Sequence, residues 1–141
     1  MRSIKVASLV ICAVAIVPLI AQTQPMRPGR WEVNVQMEMP GLPAKIPPTV
    51  TTQCVTEEQL KDPNSAVPTG PGGEQACKVS DYKVDGSKVT WKMTCSGQMP
   101  LSGDGELTFV GDTYTGVING KADQTTMTLR LNGKRLGDCT K

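Results

Sequence analysis

The chain has 141 residues and a formal net charge of +2, from 15 basic and 13 acidic side chains. This length fits one domain of ordinary size, and the small net charge gives no electrostatic basis for binding nucleic acid or an anionic membrane surface. Histidine is absent. Its absence excludes catalysis that needs an imidazole and every metal site with histidine ligands.

The N-terminal segment, residues 1–21, has the layout of a secretory signal peptide. Arg2 and Lys5 precede an almost unbroken apolar run, and polar residues follow Ala21. The run is shorter than the roughly 20 apolar residues that a membrane-spanning helix needs. We therefore predict export to the periplasm with cleavage near Ala21. The mature chain, 22–141, is expected to form a single β domain with no integral membrane span.

Cleavage there would also remove Cys12 and leave an even number of cysteines. An even number in an exported domain of this size predicts two disulfides, and four cysteines allow three connectivities. Close pairs of cysteines, as in zinc sites, are lacking, so no metal site is predicted for them. The four cysteines are Cys54, Cys77, Cys95 and Cys139.

The first part of the mature chain contains two predicted strands and one short helix. Residues 31–38 alternate strictly between apolar and polar, which predicts a strand, and residues 50–55 are a second, shorter candidate. Thr56 and Gln59 have the spacing of a capping box, so a helical turn is predicted to follow Thr56 and to end before Asp62-Pro63. Two proline-rich segments, 40–48 before the second strand and 63–73 after the helical turn, are predicted to be irregular loops. The apolar face of the first strand consists of Trp31, Val33, Val35 and Met37.

After Gly73 the sequence predicts an antiparallel meander. Turn signals separate the strands at Asp85-Gly86, Gly111-Asp112, Asn119-Gly120 and Asn132-Gly133. With the two earlier strands, the total is about eight. The favoured fold is all-β, a curved sheet closed wholly or partly into an up-and-down barrel, and the alternative is a two-sheet sandwich. The strands of the meander are predicted at 77–84, 88–96, 106–110, 113–118, 125–131 and 134–139.

The hairpin around Asp85-Gly86 allows the register to be tested. A two-residue turn there puts Tyr82, Val84, Val89, Trp91 and Met93 on one apolar face. The same register places Cys95 inward and Cys77 outward, which disfavours a bridge between them. We therefore expect Cys54 to pair with Cys77 and Cys95 to pair with Cys139, the latter with the help of a bulge in the last strand.

Several blocks of the sequence, in order along nearly the whole mature chain, resemble those of the bacterial DUF3617 family. The resemblance implies an exported, single-domain, periplasmic bacterial protein. It implies no activity, because the family offers no catalytic residues to transfer. The blocks are PGRWEV at 28–33, MEMPG at 37–41, QCVT at 53–56, CKVSDY at 77–82, VTWKMTC at 89–95, GELTF at 105–109, GDTY at 111–114 and GKRLGDC at 133–139.

No motif joins the remaining polar residues into a catalytic group, so we expect neither an enzyme nor a cofactor. The favoured function is a non-catalytic module that holds a small apolar or amphipathic ligand in the mouth of a barrel. The alternative is an envelope protein that contacts another protein through an apolar loop. The candidate interaction loop contains Met39, Leu42, Pro43, Ile46 and Pro47.

Methionine provides the one metal hypothesis, because clustered thioethers suit Cu(I) in an oxidising compartment. Met37 and Met93 fall on predicted core faces, where methionine simply fills space, so Cu(I) binding ranks below the other two functions. The methionines of the mature chain are Met26, Met37, Met39, Met93, Met99 and Met127.

Overall fold

The computed structural model describes residues 25–41, 46–66, 76–96 and 100–140, so the predicted signal peptide lies outside the described residues. Within these ranges, no helix has the length and apolar character needed to cross a membrane. The described elements are β1 (Gly29–Glu38), β2 (Thr49–Val55), α1 (Glu57–Lys61), α2 (Pro63–Ala66), β3 (Ala76–Asp85), β4 (Lys88–Ser96), β5 (Leu101–Val110), β6 (Thr113–Ala122) and β7 (Thr125–Gly137).

The strands form one antiparallel sheet with the order β2-β1-β7-β6-β5-β4-β3. Each strand from β3 to β7 pairs with the next along the chain, and β1 then adds to the free side of β7. The predicted all-β meander is confirmed, with seven strands in the described residues instead of eight. The sheet is open, with β2 and β3 at its edges, so a closed barrel is excluded.

Two of the predicted turns are wrong because their glycines lie inside strands. Asn132-Gly133 falls within β7, where Gly133 is opposite Tyr114, and a Cβ at Gly133 would lie 2.0 Å from the Tyr114 ring. Asn119-Gly120 likewise falls within β6, and the chain reverses after it, near Asp123, which has a positive φ of 54°. The missing side chain at Gly133 therefore makes room for an aromatic ring.

The apolar side chains share one face of the sheet, here called the inner face. Alternate residues of β4 are buried, and the period-two pattern predicted for β1 is confirmed, with Trp31 and Val33 buried and Val35 and Met37 half-buried. Removing these side chains from water is the main force that holds the sheet together. The inner face includes Trp31, Val33, Val89, Trp91, Met93, Leu107, Phe109, Tyr114, Ile118, Leu129 and Leu131.

The β3–β4 hairpin turns at Gly86-Ser87, because Asp85 pairs with Lys88. The register therefore differs by two residues from the prediction. A shift of two leaves the same side chains on the same face. The predicted inner face of this hairpin is accordingly retained, with Val89 and Trp91 buried and Val84 packed against them.

Further from the turn, a β-bulge reverses the facing of β3. Ser80 pairs with Lys92 and Lys83 pairs with Thr90, so two residues of β3 oppose the single residue Trp91. One of the two, Asp81, has a positive φ of 51°. The extra residue turns every earlier side chain of β3 to the other face.

Because of this bulge, Cys77 lies directly opposite Cys95, and the two form a disulfide. Cys54 forms the second disulfide with Cys139. The predicted pairing of Cys54 with Cys77 and of Cys95 with Cys139 is therefore wrong. The second bridge spans β1, since Arg30 of β1 is opposite Cys54 on one side and Gly137 on the other.

The predicted helical turn after Thr56 is confirmed as α1, including its capping box. The Gln59 N–H donates to Thr56 Oγ1 at 3.2 Å, and the Thr56 N–H donates to Gln59 Oε1 at 2.9 Å. The prediction of an irregular loop from residue 63 is wrong over α2. Pro63 suits the first helical position because it lacks an N–H, and Asp62 accepts the Asn64 N–H.

The α1–α2 segment connects the two edge strands of the sheet. Leu60 of α1 is buried in the core, and Ala66 of α2 packs against the same core. At the far edge, the Val79 N–H of β3 donates to Asn64 Oδ1 at 3.0 Å. The segment therefore lies over the inner face and links the β2 edge to the β3 edge.

Candidate binding cavity

A cavity of about 530 Å³ lies between the inner face and the α1–α2 segment. This volume is in the usual range for small-molecule sites, roughly 300–1,000 Å³. The floor is formed by side chains of β1, β5, β6 and β7, together with Met26. Floor residues are Val33, Val35, Met37, Leu107, Tyr114, Ile118, Leu129 and Leu131.

A second part of the lining, here called the polar wall, comes from β2, which lies beside β1 in the sheet, and from the two helices. Alternate residues of β2 face the cavity, because β2 has the same period of two as the rest of the sheet. No charged side chain occurs among the described residues that line the cavity. The uncharged polar residues of the wall are Thr49, Thr51, Gln53, Gln59, Asn64 and Ser65.

Part of the predicted interaction loop forms the rim of the cavity. Ile46 and Pro47 line it, and the Gln36 side chain donates to the Ile46 carbonyl at 2.6 Å, which holds the start of this segment against β1. Met39 is half-buried and is not part of the lining. The remaining two, Leu42 and Pro43, lie outside the described residues.

Tyr114 is the most buried hydroxyl-bearing residue of the lining, with a relative exposure of 2%. Its ring packs against Trp31, with ring centroids 5.6 Å apart, and against Phe109 at 5.4 Å. Burial raises the pKa of Tyr114 to about 12, because the phenolate would lose its hydration.

The methionines of the Cu(I) hypothesis are spread over several environments. Met26 and Met37 line the cavity, whereas Met93 is buried in the core away from it. Met39 and Met127 are half-buried outside the lining, and Met99 lies outside the described residues. The structure therefore brings two of the predicted thioethers to the same cavity. The described Cys, Asp and Glu side chains form no group of three that could hold a metal.

Several charged side chains that are not part of the lining form exposed ion pairs. Lys88 is 3.0 Å from Glu106, and Arg130 is 2.9 Å from Glu38. Lys92 bonds Asp81 at 2.9 Å and holds the pKa of that carboxyl below its usual value. Exposed pairs of this kind stabilise a protein little. The described lining of the cavity therefore provides hydrogen bonds and apolar contact, but no charge for recognising an ion.

Sequence reasoning missed the polar wall. The alternation of threonines in β2 was a usable signal, because Thr49, Thr51 and Gln53 occupy every second position. Asn64 and Ser65 gave no such signal, since residues 63–73 were predicted to be an irregular loop. Only the packing of α2 over the sheet brings these two side chains to the cavity.

Comparison with known protein families gives a match over most of the chain. The family described as "Protein of unknown function (DUF3617)" matches residues 26–139. Neither the curated proteins nor the solved structures give a significant match to the chain.

Proposed function

The chain belongs to the DUF3617 family, and from the cavity on its sheet we propose that it is a non-catalytic protein that binds a small, uncharged, amphipathic molecule. The observation that carries this proposal is the composition of the lining. One side is aliphatic and the other side is polar, and neither side is charged in the described residues. Such a cavity favours a ligand with an apolar body and a neutral polar group.

The same lining supports a binding role rather than a catalytic one. A hydroxyl becomes a nucleophile only beside a general base, and the usual general bases are imidazoles, carboxylates and amines with adjusted pKa values. The described lining contains only amides and hydroxyls as polar side chains. These groups orient a ligand well but do not activate one by themselves.

The periplasm is the proposed place of action. The support is chemical, because the two disulfides Cys54–Cys139 and Cys77–Cys95 form and persist in oxidising compartments. We expect the protein in a periplasmic extract to have the intact mass of residues 22–141 with no free thiol. Recovery of the full-length, reduced chain from the cytoplasm would contradict the proposal.

The binding proposal is tested with N-phenyl-1-naphthylamine, an uncharged fluorophore that brightens in apolar cavities. We expect the protein to bind it at one site. Thr51→Trp puts a bulky side chain into the cavity wall and is expected to weaken binding by about tenfold or more, equivalent to ~1.4 kcal/mol.

Thr52→Trp is the matched control, because Thr52 is the next residue of the same strand and faces away from the cavity. It is expected to leave the affinity unchanged. Failure of the wild-type protein to bind the fluorophore, or equal effects of the two substitutions, would overturn the proposal.

A further inference from the structure

We propose that the indole N–H of Trp91 is the hydrogen-bond donor for this ligand, at the inner end of the cavity beside Leu107 and Ile118. An indole N–H donates and cannot accept, so the ligand carries an acceptor there, and a ketone or ester oxygen on an aliphatic body meets this requirement. The inference rests on the binding function proposed above. It adds the residue that recognises the polar group and the chemistry of that group.

The first step of the argument is an unmet hydrogen bond in the core. Trp91 is 2% exposed, and its Nε1 atom has no hydrogen-bond partner among the described residues. Leaving a buried donor unpaired is costly, and most buried polar groups in native proteins have a partner. Trp31 shows the usual situation, because its Nε1 donates to the Arg27 carbonyl at 2.9 Å. A ligand oxygen would supply the bond that Trp91 lacks.

The second step is that the Trp91 ring leans across the sheet towards the cavity. Its Cε2 and Cζ2 atoms lie over Gly105 of β5, where they would overlap an added Cβ. Nε1 is bonded to Cε2, so the N–H belongs to this side of the ring. Gly105 is opposite Ile118, which lines the cavity together with Leu107. Trp91 itself is not part of the lining, so the ligand reaches its N–H when the Ile118 or Leu107 side chain moves aside.

The third step concerns the group that supplies the acceptor. The inner-face residues at neighbouring positions of β4 and β5 include Val89, Met93 and Leu107, which are all apolar. A buried water typically makes about three hydrogen bonds, so a single N–H among such side chains holds it poorly. A ligand needs only the one bond there, because its aliphatic body packs against the apolar side chains while its oxygen accepts the N–H.

The experiment follows the N–H resonances of the two indoles in the wild-type protein by NMR, each assigned from its nuclear Overhauser contacts. The ligands are 2-nonanone and 2-methyl-1-nonene, in which a methylene group replaces the carbonyl oxygen. We expect the ketone to move the Trp91 resonance downfield, because a hydrogen bond deshields the proton, and the alkene to produce no such shift. Trp31 is the internal control. Its N–H is already bonded, so its resonance should respond equally to both ligands.

Two variants test whether the ketone reaches Trp91 through the cavity. Thr51→Phe narrows the cavity without adding an indole, and at a ketone concentration near the wild-type Kd it is expected to remove most of the Trp91 shift. Thr52→Phe is the matched control, because Thr52 faces away from the cavity, and it should retain the shift. Equal shifts in the two variants would overturn the placement of Trp91 at the inner end of the cavity.

A second measurement compares the affinities of the two ligands. Both are measured by displacement of N-phenyl-1-naphthylamine from the wild-type protein and from Trp91→Phe. We expect the substitution to weaken binding of the ketone by about two- to tenfold more than binding of the alkene.

Equal effects of Trp91→Phe on the two ligands would overturn the role of Trp91. An unmoved Trp91 resonance in the wild-type protein with the ketone bound would also overturn it, and this result does not depend on whether the variant folds. Failure of the fluorophore to bind the wild-type protein would instead overturn the proposed function.

Discussion

Two strand glycines receive aromatic rings from the residues directly opposite them. Trp91 is paired with Gly105 and Tyr114 with Gly133, and in each pair an added Cβ would overlap the ring, at 2.2 Å and 2.0 Å respectively. These glycines let large rings lie flat over the sheet. At the residue scale, the core and the cavity floor therefore depend on the absence of two side chains.

Gly133→Ala is expected to destabilise the protein, because the new methyl group meets the Tyr114 ring. Overpacking of this kind typically costs about 1–3 kcal/mol, which urea denaturation would measure. Gly120→Ala is the control, since its Cβ would lie 3.1 Å from Leu101 Cδ1 and from Met127 Cγ, which belong to flexible side chains. A loss as large in Gly120→Ala as in Gly133→Ala would contradict the role of the ring.

Ionisation of Tyr114 is expected to couple the stability of the fold to alkaline pH. The pKa of Tyr114 is about 12 in the folded protein, against 10.0 for an ordinary tyrosine. Between these values the unfolded chain releases the proton first, so the free energy of unfolding decreases as the pH rises above about 10. Tyr114→Phe should show a smaller decrease over this interval in urea denaturation. Identical profiles for the two proteins would contradict the burial of the hydroxyl.

At the scale of the elements, one extra residue in β3 determines the disulfide pattern. The bulge at Asp81 and Tyr82 places Cys77 opposite Cys95, and this leaves Cys54 for Cys139. The two bridges therefore act on opposite edges of the sheet. Cys77–Cys95 joins β3 to β4, and Cys54–Cys139 ties β2 to the end of β7.

Removal of the longer bridge is expected to loosen β2. The double substitution Cys54→Ser with Cys139→Ser should cost about 2–4 kcal/mol of stability. It should also speed hydrogen exchange of the β2 amides more than that of the β5 and β6 amides, because β2 is otherwise held only by β1 within the sheet. Uniform acceleration of exchange over the sheet would contradict this view. Peptide mapping of the wild-type protein that links Cys54 to Cys77 would also contradict it.

At the scale of the whole molecule, the α1–α2 segment links the two edges of the sheet, which in a closed barrel would pair with each other. The edges β2 and β3 do not pair with each other, and the chain between them passes over the inner face through α1 and α2. An open edge exposes unpaired N–H and C=O groups. Asn64 covers one of these groups by accepting the Val79 N–H.

Asn64→Ala is expected to release the β3 edge. The lost hydrogen bond contributes about 0.5–1.5 kcal/mol, and the Val79 amide should exchange with solvent measurably faster. Ser65→Ala is the control, because Ser65 Oγ bonds Asp62 in the same turn and not β3. Unchanged exchange at Val79 in Asn64→Ala would show that the connection does not hold this edge.

The local features of the fold were predictable from the sequence because local residues produce them. The capping box at Thr56 and the alternation in β1 depend on neighbours within a few residues, and both are confirmed. The rim residues Ile46 and Pro47 were recognised as part of an apolar loop, but nothing in the loop itself showed that they face a cavity. That placement depends on Gln36 and on the sheet behind it.

By itself, the sequence determined the all-β class, the order of the strands along the chain and the presence of paired cysteines, because periodicity and residue type encode these locally. Only the tertiary structure decided which cysteines pair, whether the sheet closes, and that Asn132-Gly133 lies within β7 and not in a turn. The alternation of apolar and polar residues does not reveal a single inserted residue such as the one in the bulge at Asp81. That residue nevertheless moves the preceding side chains of β3 to the other face of the sheet. Likewise, the sequence around Gly133 is typical of a turn, whereas in the structure this glycine makes room for the Tyr114 ring.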